Sequence, residues 1–240
     1  MRVLARLAAV SLLTASLAFA GCSEKPRTPQ EAEAYVRSEL QKAETQGGMG
    51  DMFLALRETE PAIYEKLVKA GTRSVIEGRS PFEAGAEVRP AYLARFTELT
   101  KTASDENVNA LLAFSVKQGE EALKIHPQLC ANLAAGAADI RVQQFPKAIS
   151  DEEVRIMARI LRAGQQQEEG ASPDEVGVWV TKFSLANPDA MTGLGMIGQP
   201  GITDDQARIV CEGNLALMRN LLKEEPALRA RLFRGLLALA

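Results

Sequence analysis

Thr203-Asp204-Asp205-Gln206-Ala207-Arg208-Ile209-Val210-Cys211 decides the fold class. Thr203, answered three residues later by Gln206, is a capping box: each side chain takes an amide that the first helical turn leaves without a partner. Behind it, Ala207, Val210, Cys211, Leu217, Met218 and Leu221 recur at helical spacing and form one inward stripe. The same start signal recurs at Thr28/Glu31, Ser80/Glu83, Ser150/Glu153 and Ser172/Glu175. Pro29, Pro81 and Pro173 fall at the first helical position of three of these, where a missing N–H costs nothing.

Starts of this kind, in phase with helical apolar spacing, predict an all-α chain: an irregular bundle of about nine or ten helices after a cleaved signal peptide. The helices are expected near 29–45, 50–59, 61–77, 81–102, 105–125, 127–136, 151–168, 173–186, 204–223 and 226–238. Pro90 should kink or split the fourth, because it removes one helical hydrogen bond and its ring crowds the preceding turn. No run alternates apolar and polar residues for long enough to argue a sheet. Aromatics make up 5 % of the chain, and abundant Ala and Leu favour helix over strand. Pro61, Pro127 and Pro226 open similar units at spacings of 66 and 99, multiples of 33, a helical-repeat period. The intermediate phases near Ala94, Ile160 and Gly193 lack the unit, so the likeness reads as convergent helix-start chemistry rather than a solenoid.

The amino-terminal stretch sets the compartment. Arg2 and Arg6 precede an uncharged run, Leu7 to Phe19, that is shorter than the roughly 20 residues of a membrane-spanning helix. Two cleavage readings compete: Ala18-Phe19-Ala20 is an A-x-A site, whose use would release a soluble protein starting at Gly21. Phe19-Ala20-Gly21-Cys22 resembles the lipobox of bacterial lipoproteins, with Phe19 where that family usually has Leu. The resemblance implies a signal peptide at 1–21, diacylglycerol on the Cys22 thiol, cleavage before Cys22 and acylation of the new amino terminus. Several acyl chains, each CH₂ worth about 0.8 kcal/mol when buried, make a stable anchor. Ser23 in place of Asp points, by the same resemblance, to the periplasmic face of the outer membrane. Residues 22–30, polar with two prolines, read as a tether, and 31–240 as one all-α periplasmic domain.

The chain carries 28 Lys and Arg against 31 Asp and Glu, and the leader removes two of the basic residues. That acidic balance excludes a nucleic-acid footprint. With Cys22 assigned to lipid, Cys130 and Cys211 remain as an even pair in an oxidising compartment. Cys130 follows Leu129 in a short helix, and Cys211 lies in the inward stripe, so a Cys130–Cys211 disulfide is expected.

No constellation in the body carries recognisable chemistry. Gly193-Leu194-Gly195-Met196-Ile197-Gly198 spells G-x-G-x-x-G, but the dinucleotide fingerprint needs a strand before it and a helix opening from it. A flexible glycine and methionine connector is expected there. His126, the only histidine, could share a helix face with Cys130, yet a zinc site would still lack a ligand, and a helix cap just before Pro127 is the simpler role. Paired acids stand at Glu120-Glu121, Asp151 to Glu153, Glu168-Glu169, Asp204-Asp205 and Glu224-Glu225. First helical turns account for Asp151 to Glu153 and for Asp204-Asp205, and solvated faces for the rest. Leu228, Leu232, Leu236 and Leu239 form an apolar stripe, with Arg229, Arg231 and Arg234 elsewhere; this C-terminal helix should close the core, a membrane-surface helix being the other option. Trp179 and Phe183, one turn apart, read as core. The sequence therefore assigns no catalytic, cofactor or metal residue. It favours a lipid-anchored envelope protein with a non-catalytic binding or scaffolding role toward an envelope protein partner. An envelope hydrolase whose carboxylates converge only in the fold is the alternative.

Overall fold

The computed structural model describes residues 28–79, 81–136 and 145–239, without the side chains of 81–83. The signal segment, Cys22, most of the tether and Ser80 lie outside the described residues. All regular structure among the described residues is helical: α1 Pro29–Glu44, α2 Met49–Thr59, α3 Pro61–Glu77, α4 Pro81–Thr102, α5 Asp105–Ile125, α6 Pro127–Ala134, α7 Lys147–Ala163, α8 Pro173–Ala186, α9 Pro188–Gly195, α10 Asp204–Leu221 and α11 Pro226–Ala238.

Local chemistry accounts for most of these boundaries. Thr28, Ser172 and Thr203 each close a full capping box. At α10, Thr203 Oγ1 accepts the Gln206 amide at 3.3 Å and Gln206 Oε1 accepts the Thr203 amide at 2.8 Å. Ser150 does not cap. α7 opens at Lys147 behind Pro146, so Ser150 falls inside its first turn, and Glu153 is buried instead of turning back to a cap. The same helix stops at Ala163, where Gly164 takes φ +65° and the left-handed conformation that glycine adopts without penalty. α4 continues as one helix through Pro90. The sequence reading lacks α9 altogether, because its eight residues open at Pro188 and include two glycines, which reads as a turn.

The chain divides into two compact units. One comprises residues 28–96 and 150–164. There α1 packs on α2 and α3, burying Ala32, Val36 and Leu40, a stripe of four-residue steps. The chain turns from α1 into α2 at Gly47 and Gly48, and Gly50, in the first turn of α2, packs so close that an added Cβ would stand 1.8 Å from the Ala43 carbonyl oxygen. Glu44, the last residue of α1, has a side chain only 5 % exposed. It accepts the Tyr64 hydroxyl at 3.2 Å and pairs with Arg57 at 2.8 Å. Burial, and after it the Glu44 charge, push the Tyr64 phenol up to about 12, which keeps it a neutral donor. Tyr92 of α4 is wholly buried, stacks on Phe96 with ring centroids 6.1 Å apart, and directs its hydroxyl to Met157 Sδ of α7 at 3.6 Å.

The other unit comprises residues 97–149 and 165–239, of which 137–144 lie outside the described residues. α5 is its centre, with α6, α10 and α11 packed on it. Cys130 of α6 and Cys211 of α10 are joined by a disulfide with Cα atoms 5.5 Å apart, and both residues are buried. α11 closes the core: Ala230, Leu232, Phe233, Arg234, Leu236 and Leu237 are all buried, which sets aside the membrane-surface reading of its arginines. Arg234, 1 % exposed, donates from Nε to the Glu169 carbonyl at 3.1 Å, from Nη1 to the Ala103 carbonyl at 2.8 Å, and from Nη2 to Asp105 Oδ1 at 2.8 Å. The segment between α7 and α8 lies along α11: the Ala171 amide donates to the Arg231 carbonyl at 2.8 Å, and a Cβ on Gly235 would stand 2.5 Å from the Ala171 oxygen.

Two outcomes follow for stability. Arg234→Met strands two carbonyls and a carboxylate and should cost about 3–5 kcal/mol in urea unfolding. Arg231→Met breaks an exposed pair with Glu175 and should cost at most about 1 kcal/mol; equal losses for the two variants would refute the distinction. Reducing Cys130–Cys211, which are 81 residues apart, should cost about 4–5 kcal/mol in the chain-entropy limit. Protein denatured without reductant should offer neither thiol to an alkylating reagent, and labelling at both positions would exclude the bond.

Candidate functional site

The residues singled out by sequence separate into structural roles. His126 is the N-cap of α6: its Nδ1 accepts the Gln128 amide at 3.2 Å, and Nε2 stands 3.8 Å from Asp204 Oδ2. That bond places the imidazole proton on Nε2 in the neutral ring. The neighbouring Cys130 sulfur is committed to Cys211, so among the described residues no thiolate is left to work with this imidazole as a metal ligand or nucleophile. Among the described residues no group of three or more His, Cys, Asp or Glu could hold a metal ion. The paired acids are mostly engaged. Glu120 binds Arg219 at 2.8 Å, Glu121 binds Lys124 at 3.0 Å, and Glu224 accepts the Trp179 indole N–H at 2.8 Å. Trp179 and Phe183 are buried and stacked, 5.8 Å between centroids.

The glycine motif has a packing explanation. Gly193 lies inside α9, and a Cβ there would sit 2.2 Å from the Ile209 carbonyl oxygen of α10. Gly213 of α10 answers it: a Cβ at that position would sit 2.6 Å from the Ala190 oxygen of α9. The two helices therefore touch backbone to backbone at paired glycines. Gly195 ends α9 with open space around it, and Gly198 and Gly201 take φ +76° and +72° in the turn that leads to α10. The stretch expected to be a flexible connector is thus half helix and half defined turn.

Beside this crossing a groove of about 570 Å³ opens between the α8–α9 elbow and α10. That volume lies in the range of about 300–1,000 Å³ typical of ligand sites. Small residues make its walls, Ala186 and Ala190 on one side and Gly213 and Ala216 on the other. Asp189 and Glu212 supply carboxylates; both are exposed, and neither has a hydrogen-bond or ion-pair partner among the described residues. Ile209, also lining, is 40 % exposed, and Leu185, next to Ala186 in the chain, is 81 % exposed. The arrangement offers apolar contact together with negative charge.

The sequence reading missed this groove. The signal was the glycine in mid-α10, Gly213, spaced from Gly193 by a helix start, since a helix keeps an interior glycine at a cost of about 1 kcal/mol only for a reason of packing or function. The chain matches no protein-family model, no curated protein and no solved structure.

The paired-glycine crossing makes opposite demands on two neighbours. Gly193→Ala forces α9 away from α10 and should destabilise by about 1–3 kcal/mol. Gly195→Ala meets nothing and should be neutral or stabilising by up to about 1 kcal/mol. Thermal unfolding of the two variants checks this, and a stable Gly193→Ala protein would refute the close crossing.

Proposed function

We propose that this chain is a lipid-anchored cell-envelope protein with a non-catalytic binding role, tethered through Cys22 at the periplasmic face of the outer membrane. The leader and the Phe19-Ala20-Gly21-Cys22 stretch support the anchor. The buried Cys130–Cys211 bond supports an oxidising compartment, because thiols elsewhere are kept reduced. The observation that carries the binding role is the groove beside α10, where two unpartnered carboxylates flank small apolar walls. The two acids share the groove with Ile209, 40 % exposed, a mixture of apolar contact and charge that suits a partner surface.

Cys22→Ala should abolish acyl labelling and move the protein from the membrane fraction to the soluble or unprocessed pool. Unchanged fractionation without label would overturn the anchor. Density separation of the wild-type membranes places the anchored protein in the outer rather than the inner membrane if the Ser23 reading holds.

A further inference from the structure

We propose that the groove between the α8–α9 elbow and α10 receives a basic peptide segment of an envelope protein, with a lysine or arginine side chain laid across it. This rests on the binding role proposed above and names its site and partner chemistry.

The charge argument comes first. Of the many carboxylates in the unit, Glu120, Glu121, Glu175 and Asp105 are neutralised by arginine or lysine partners. Asp189 and Glu212 are not; Glu168, Asp174, Asp205 and Glu225 share that state, but of these six Asp189 and Glu212 alone line the groove. The backbone crossing holds them there. Asp189 adjoins Ala190 and Glu212 adjoins Gly213, and those two neighbours form one of the closest backbone approaches between α9 and α10. The helix contact thus fixes where the backbone presents each acid at the groove.

Shape gives the second argument. A lysine or arginine side chain is an apolar stem with a cationic head, and it buries the stem wherever the head keeps its charge partner. Walls of Ala186, Ala190, Gly213 and Ala216 suit the stem, and Asp189 and Glu212 suit the head. An anionic ligand would meet two negative charges. A wholly apolar ligand would desolvate those carboxylates without compensation. An apolar residue flanking the cation would find Ile209, which lines the groove and is 40 % exposed.

The test uses the full chain in detergent, with its disulfide intact, and short peptides of Leu, Ala and Lys beside matched peptides with Glu in place of Lys. The Lys peptides should bind saturably, and more weakly as salt is raised. Asp189→Asn combined with Glu212→Gln should weaken binding roughly tenfold or more. Ala186→Trp fills the groove from an exposed position at the end of α8 and should abolish binding with the helical circular dichroism unchanged. Equal binding of the Glu peptides, absence of binding, or indifference to both variants would overturn the proposal. So would concentration-dependent self-association that Ala186→Trp removes, since a second copy would then be the occupant. If the peptides fail while envelope proteins still co-purify with the wild type, the groove assignment falls and the binding role survives. If nothing co-purifies and nothing binds, the role itself falls.

Discussion

A guanidinium with 1 % of its surface exposed holds together the unit that carries the groove. Arg234 reaches three places far apart in sequence: the carbonyl of Ala103, the carboxylate of Asp105 and the carbonyl of Glu169. Burying a charge without partners costs several kcal/mol, so the arginine persists only because each of those acceptors is in place. The Asp105 side chain is 40 % exposed, which screens the ion pair. The two carbonyls therefore matter as much as the charge. They fix the start of α5 and the segment before α8 against α11 at once. A leucine in the same place would pack, but it would leave those carbonyls dry, at about 1–3 kcal/mol each.

Glycine does the complementary work where backbones meet. At Gly193 and Gly213 the helices α9 and α10 come closer than any side chain allows, and at Gly235 the strap before α8 comes equally close to α11. Close approach at one point leaves space beside it, because the neighbouring residues, Ala186, Ala190 and Ala216, are too small to fill the angle between the helices. The groove is thus a by-product of the crossing, and its two carboxylates sit there because their neighbours make the contact.

Helix existence was legible wherever it is decided locally. Thr28, Ser172 and Thr203 announce their helices through side chains that bond within three residues, and His126 before Pro127 announced its cap in the same way. The cysteine pair was legible because its compartment, its count and its helical phase agreed. What failed was decided at long range. Ser150 and Glu153 spell a capping box, yet Glu153 is drawn into the core and the helix begins a turn earlier. α9 is a helix in spite of its glycines because α10 lies against it. Arg234 reads as a surface charge in any hydropathy pattern, since its partners are backbone carbonyls more than sixty residues away that have no sequence signature. The groove was invisible for the same reason: it is made by the relation of two helices, not by a motif in either.

α10 joins these features. Its Cys211 is bonded into α6, its Gly213 is pressed on α9, and the residue between them is Glu212, one of the two groove carboxylates. One turn of helix therefore carries a covalent tie at Cys211 and a backbone contact at Gly213, with Glu212 projecting between them. A partner that binds such a surface orders little backbone on arrival, because folding and oxidation have already fixed the helices that carry the acids. The disulfide then has a consequence beyond stability. Reduction would leave α10 held to α6 by packing alone, so any slackening of α10 should appear as weaker affinity for a cation in the groove, set by a bond that never touches the ligand.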